Sequence, residues 1–309
     1  MPASPLICEQ DGTVRVFHAP RLQQAVTLIG IVLPFFGLIA AIYSLWGYGF
    51  SWVELSLLVG MFLATGLGVT VGFHRLFVHR AFQTVRPVKC VLAVLGSMSV
   101  QGPLLRWAAI HRQHHQHSDE TDDPHSPNCF GGGVWGVLRG WWHAHIGWMF
   151  LPGSPDLARY VRDLHADRLL RAISRTFTLW AALGFIIPAG LGALLSGTWP
   201  GGLLGFLWGG LARTFLIHHT TWSINSVCHL WGRQPFRGND YSRNNVIFGI
   251  LALGEGWHNN HHAFPHSARH GLRWWEFDLS YQVIRLMELV GLAWGVRVPS
   301  PQAMAAKRA

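Results

Sequence analysis

Long apolar runs alternate with polar, histidine-rich stretches from one end of the chain to the other. A helix that crosses a bilayer needs about 20 apolar residues. Ala25 to Leu45 supplies them without a charge, and Trp46, Tyr48 and Trp52 follow as interfacial aromatics. Leu55 to Phe73 is a second run, entered after Glu54. A third covers Phe177 to Leu195 and contains Pro188, which neighbouring helices can accommodate. The fourth has its apolar core at Leu203 to Ile217, extends to residue 222 and is interrupted by Arg213. Val91–Val100 is too short to span, and reads as a helix in the interface or packed on protein. Val246–Leu253 and Leu289–Val296 read the same way. The pattern predicts an all-α integral membrane protein, one domain over residues 1–309, with four transmembrane helices in two hairpins at 25–45, 55–73, 177–195 and 203–222.

Charge orients the hairpins. The links Trp46–Glu54 and Ser196–Gly202 hold no Lys or Arg, whereas His74–Ser174 holds eleven and the stretch after residue 230 holds nine. The positive-inside rule puts both rich segments and the termini in the cytoplasm. The expected cytoplasmic helical cap is 74–174 and 223–309. The net charge of +9 is then explained by loops flanking spans, and a chain with 50% hydrophobic residues is too apolar for a nucleic-acid binder. Residues 1–24 carry Glu9, Asp11, Arg15 and Arg21 and lack a signal-peptide pattern, so the first run is expected to stay as an anchor. Cys8, Cys90, Cys129 and Cys228 form no C-x-x-C pair and read as reduced thiols. Gly131–Gly133 reads as a loop.

Of 19 histidines, eight fall into three clusters of the cap: His74 with His79, His111 with His114 and His115, and His258 with His261 and His262. On a helix, positions i, i+3 and i+4 share one face, so the second and third clusters each present three imidazoles on one stripe. His74 and His79 lie about 140° apart on a straight α-helix and converge only if that helix bends or ends. Neutral imidazole is a common ligand for Fe, Zn, Cu and Ni, and eight rings are too many for one ion. His117 stands two residues beyond a cluster, yet lies about 113° from its centre and should point away. Nine of the histidines outside the clusters (His18, His117, His143, His145, His165, His218, His219, His266 and His270) read as hydrogen-bonding or exposed residues.

H-x4-H, H-x2-HH and H-x2-HH, in that order around two membrane hairpins, resemble the membrane fatty-acid desaturases, and the Δ9, stearoyl/acyl-CoA desaturase-like branch above all. The resemblance runs from about Gly72 to Pro265 through GFHRLFVHRAF, WAAIHRQHHQHSDETDDPH, HIGW, TWSINSVCHLWG and GEGWHNNHHAFPH. It implies two Fe ions held by His74, His79, His111, His114, His115, His229, His258, His261 and His262, with Asn225 completing the set through a water. His229 enters on the family pattern N-x3-H alone. The resemblance also implies that Gln101, Trp107, Thr221 and Trp222 line the bend of an acyl tunnel.

The chemistry agrees. An unactivated methylene has no acid–base route to an alkene, so a metal centre with O2 as co-substrate is required. Asp119, Glu120, Asp122, Asp123 and Glu255 are candidates for orienting the imidazoles. The expected product is a cis alkene, most simply at Δ9, from a fatty acyl thioester (acyl-CoA first) or an acyl lipid. No base follows Gly147-Trp148, where acyl-CoA desaturases meet phosphates; Arg112 and Arg106 are left for that role, with an insertion at Cys129–Arg139. The chain has no cytochrome b5-like segment, dinucleotide fingerprint or cysteine cluster, so a separate donor is expected: a ferredoxin, or a cytochrome b5-like protein with its reductase. A basic cap suits an acidic donor. The rivals are a hydroxylase on the same scaffold and a metal transporter or storage protein. Histidines at span ends and in the cap, not at mid-membrane, count against transport.

Overall fold

The computed structural model describes residues 6–8, 14–16, 19–48, 51–153 and 155–309. Glu9, Asp11, His18 and the side chains of Cys8, Arg15, Trp46 and Tyr48 lie outside the described residues. The fold is mostly helical. Three described helices are long and apolar enough to cross a membrane: Arg21–Leu45, Trp52–Val78 and Phe177–Ser196. Much of the first is exposed, including Leu28, Ile29, Phe36 and Ile39, as a surface facing lipid requires. The second starts at a capping box: the Ser51 hydroxyl accepts from Val53 N, and Glu54 accepts from Ser51 N at 3.0 Å.

The fourth predicted span is helical from Trp199 to Ser226, with a π-helical stretch at Phe206–Ala212, but is not among the three helices that qualify as spans. Arg213 and five glycines dilute its apolar character. The fully buried Arg213 guanidinium donates to the carbonyls of Gly209, Met98 and Gly184 at 3.1, 2.9 and 2.7 Å. It thus ties this helix to Arg86–Met98 and Phe177–Ser196. Small residues let the last pair approach: a Cβ on Gly192 would stand 2.3 Å from Gly201 O.

At Gly68 the second long helix turns π-helical and stays so to Val78. Gly68 packs on the backbone of Arg86–Met98, where a Cβ would meet Gly96 N at 2.2 Å. That helix and Leu104–His117 close over the π segment around a core including Val71, Phe73, Phe77, Leu104 and Ala108. The three short apolar runs are accounted for without spanning. Val91–Val100 falls mostly within Arg86–Met98, Val246–Leu253 forms the helix Val246–Leu251, and Leu289–Val296 supplies Ala293–Trp294, paired antiparallel with Gln83–Thr84. A second small pairing joins Leu6–Cys8 to Val14–Val16. Gly131 and Gly133 have positive φ, and a helix begins at Gly133. Cys90 and Cys228 form no disulfide.

Candidate metal centre

Four segments of the chain deliver imidazoles to one buried region. In the π segment the amide of His79 donates to the carbonyl of His74 at 3.1 Å, an i to i+5 bond. This widened turn stacks residues five apart, so the two rings lie 4.7 Å apart between centroids. Leu104–His117 supplies His111, His114 and His115; His258–Ala263 supplies His258, His261 and His262; His229 ends the short 3-10 turn Val227–His229.

The nine rings separate into two groups. His74, His79, His111, His115 and His261 form one, and His114, His229, His258 and His262 the other. Within each group the nitrogens lie within 4.8 Å of one another. In the first, His115 Nε2 is 3.0 Å from His111 Nε2 and 2.9 Å from His261 Nε2, while His74 Nε2 is 3.1 Å from His261 Nε2. In the second, His229 Nε2 is 3.1 Å from His258 Nε2.

Carboxylates fix the tautomers. Nδ1–H of His74 donates to Glu255 (2.5 Å), that of His114 to Asp123 (2.9 Å), of His229 to Asp119 (2.9 Å) and of His262 to Asp240 (2.8 Å). An ionised carboxylate only accepts, so each of these rings carries its proton on Nδ1 and turns a bare Nε2 lone pair inward. Nε2 of His74 and of His229, 3.1 Å from Nε2 of His261 and of His258, can then only accept a hydrogen bond or bind a cation. His79 Nε2 and His262 Nε2 are buried with no hydrogen-bond partner, which in a native interior calls for an ion or water. The donor set therefore fits two bound metal ions, one per group.

The electrostatics favour neutral rings. Burial, then neighbouring imidazoles, push His111, His115, His258 and His261 well below the ordinary histidine range. Burial lowers His262 to about 4 against the opposing pull of Asp240. His229 runs the other way: burial lowers it, but the charge and hydrogen bond of Asp119 outweigh that and raise it. Burial alone would raise Asp123 and Asp240, yet their histidine partners hold both below the usual carboxylate range. Glu255 is likewise held low by Arg75 and His74; Arg75 is fully buried and also binds Asp278.

Three of the five carboxylates proposed from sequence, Asp119, Asp123 and Glu255, stand behind imidazoles. Glu120 instead lies 3.6 Å from His117, and Asp122 is exposed. Asp240 was not legible: it comes from the loop before Val246, with no spacing relation to His262. His117 joins neither group, in keeping with its helical angle. His143 is buried beside Phe130, and His145, His218, His219 and His266 hydrogen-bond as expected of lone histidines. His270 departs from that reading. It is buried, its ring lies 4.5 Å from that of His261, and neither ring nitrogen has a hydrogen-bond partner.

A narrow, mainly apolar cavity of about 50 Å³ opens on the rings, lined by Val69, Trp107, Ile217, Thr221, Asn225 and His258 among others. Gln101 bridges its wall, donating to Thr221 Oγ1 at 2.9 Å and accepting from Trp107 Nε1 at 3.3 Å. The Trp107 ring stacks on His111. Two of the named residues are placed elsewhere. Trp222 is not among the lining residues and packs against the His218 and His145 rings instead. Arg112 is not free to meet a phosphate, because its nitrogens are engaged by Asp163 and by the carbonyls of Phe77, Val78 and Tyr160.

A hex-5-enoyl-[acyl-carrier protein] acetylenase of Moorena producens is 42% identical over 98% of this chain and 95% of its own length. An sn-1 stearoyl-lipid 9-desaturase of Synechocystis is 38% identical over 84% of this chain and 76% of its own. The Delta-9 acyl-lipid desaturase 1 of Arabidopsis thaliana is 37% identical over 82% and 78%. The sequence model of the fatty acid desaturases matches residues 50–289, a stretch that contains all nine converging histidines and the four carboxylates behind them, and the chain belongs to that family.

Proposed function

We propose that the chain is a multi-pass membrane acyl desaturase. It would hold two irons in the two histidine groups and insert a cis double bond, at Δ9, into a saturated acyl chain. The observation that carries this is the pair of inward-facing Nε2 sets beside an apolar cavity. Overall, a –CH2–CH2– unit, O2, two electrons and two protons become –CH=CH– and two waters. Iron, when bound, would supply the oxidising power drawn from O2. The nine histidines are its proposed ligands, with Asn225, on the cavity wall beside His258, joining through a water. Glu255, Asp119, Asp123 and Asp240 hold the rings in the binding tautomer. Val69, Ile217 and Leu253 exclude water from the chain, and the Gln101–Thr221–Trp107 linkage shapes the wall where it must bend.

The carrier reading shifts from CoA towards a lipid or carrier-protein acyl group. Arg112 is spent internally, which carries this shift; the relatives themselves bear stearoyl-lipid, acyl-carrier-protein and acyl-CoA names alike. The basic face suits an acidic ferredoxin or cytochrome b5-like donor. We place the Arg-rich segments and both termini in the cytoplasm, with four spans in two hairpins. A second reading is dehydrogenation of an existing terminal alkene to an alkyne, favoured by the near full-length match to an acetylenase. Gas chromatography–mass spectrometry of acyl derivatives from cells expressing the chain separates the readings. A new internal alkene supports the first, a terminal alkyne the second, and neither, with iron bound and a donor supplied, overturns both.

A further inference from the structure

A second cavity, of about 410 Å³, lies on the other side of Trp257 from the metal groups and is lined by Arg233, Arg273, Trp275, Val246 and Ile247. Its charge is unbalanced. Glu276 also lines it, but this carboxylate is buried and its Oε2 already accepts from Asn260 Nδ2, Leu272 N and Arg273 N. The Arg273 guanidinium stays 3.9 Å from Glu276 Oε1 and rests 5.9 Å from the Trp275 ring centroid. Among the described residues, Arg233 has no carboxylate within ion-pair distance. Two solvent-facing guanidiniums share one concavity whose single lining carboxylate is within ion-pair distance of only one of them, and the net positive charge favours an anion.

The rim says which anion. Val246, Ile247, Ile250 and Leu251 present an exposed aliphatic face of one short helix, and Trp274 beside the cavity is 94% exposed. That helix packs on Arg213–Ser226. Two residues beyond it, Leu253 reaches to within 2.9 Å of where a Cβ on Gly66 would stand. Gly66 lies 14 residues into the span that starts at Trp52, about 21 Å along it, within a hydrocarbon core about 30 Å thick. The aliphatic face is therefore at the depth of acyl chains, and Arg233 and Arg273 line the same cavity as its first residues, Val246 and Ile247. A soluble acidic protein would leave the aliphatic face and Trp274 in water; a lipid covers both.

We propose that this cavity binds the phosphate of a bilayer glycerophospholipid, whose acyl chains run along Val246–Leu251. The proposal rests on the membrane-embedded reading of the chain and not on the reaction it catalyses. The test is native mass spectrometry of the iron-loaded full chain purified in neutral detergent with phosphatidylglycerol, or with monogalactosyldiacylglycerol, which has no phosphate. The expected result is retained phosphatidylglycerol well above the galactolipid. The double variant Arg233→Gln/Arg273→Gln should lower phosphatidylglycerol retention roughly thirty-fold and leave galactolipid retention and bound iron unchanged. Equal retention of the two lipids by the unmodified chain overturns the proposal without recourse to a variant. So does displacement of the lipid by inorganic phosphate at equal concentration, which makes this a free-anion site. Retention that depends on both arginines supports the site whether or not the same preparation desaturates an acyl chain.

Discussion

The pairing of imidazoles with carboxylates makes a site-specific prediction at Asp240. Its carboxylate accepts from His262 Nδ1 at 2.8 Å and fixes Nε2 as the free, inward atom. In Asp240→Asn the amide oxygen is a weaker acceptor, and a flipped amide offers N–H to Nδ1, forcing the imidazole proton onto the nitrogen that must bind metal. Loss of such an orienting partner costs 10- to 100-fold in metal affinity, about 1.4 to 2.7 kcal/mol. Because His262 belongs only to the group with His114, His229 and His258, the loss should fall on one ion of two. The assay is anaerobic Fe(II) titration against a chelator, with iron per chain read by mass spectrometry. Unmodified protein should bind close to two irons; Asp240→Asn should keep one at its original affinity and bind the other 10- to 100-fold more weakly. Asp122→Asn, at an exposed carboxylate, should titrate like the unmodified chain. If both irons weaken together, or neither does, the assignment of His262 to one ion is wrong.

Three further outcomes are expected. At equal amounts of membrane-inserted protein, His115→Ala and His229→Ala should abolish unsaturated product while His117→Ala retains most of it; the reverse order would sink the facing argument. Metal-free protein should lose thermal stability between pH 7.5 and pH 5. Folding depresses His262 from 6.5 to about 4, so its neutral ring costs nothing above pH 6.5 and roughly 3 kcal/mol is lost as pH falls towards 4; His229, whose value is raised, opposes this as a single group. A melting temperature that is flat or rises on acidification contradicts the assignment. Gly68→Ala should destabilise the chain by about 1 to 3 kcal/mol or more, since its Cβ would meet backbone at 2.2 Å that no side-chain rotation can clear. Unchanged thermal unfolding in detergent would show that the π segment does not depend on that contact.

How far sequence reaches here follows from what each feature depends on. The apolar runs and the clusters at i, i+3 and i+4 depend on helix geometry alone, so Arg21–Leu45, Trp52–Val78, Phe177–Ser196 and the convergence of Leu104–His117 with His258–Ala263 were legible. The bend that brings His74 to His79 was legible as a need, but not as a π-helix, because it is set by the packing of Gly68 and Gly72 on Arg86–Met98. Asp240, His270 and the internal use of Arg112 depend on contacts between distant segments, Arg112 with Asp163 across 51 positions, and no periodicity encodes them. Arg213 looked like a flaw in the fourth run; three carbonyls from three helices absorb its donors.

One division was out of reach in principle from spacing, and it matters most for how the centre works. A stripe argument assigns the three rings of each H-x2-HH cluster to one face, yet each cluster serves both groups. His111 and His115 go to one and His114 to the other, while His261 goes to the first and His258 and His262 to the second. Adjacent residues on a helix differ by about 100°, so His114 and His115 diverge just enough to reach ions on either side of the same helix edge, and His261 and His262 do the same from the opposite wall. Two helices would therefore hold both ions between them, with His74 and His79 completing one group and His229 the other. In such an arrangement neither group can be completed until both helices are docked, because each lacks ligands from the other wall. Metal binding would then be coupled to docking of the two helices, and an ion at one group would help to order the ligands of its neighbour.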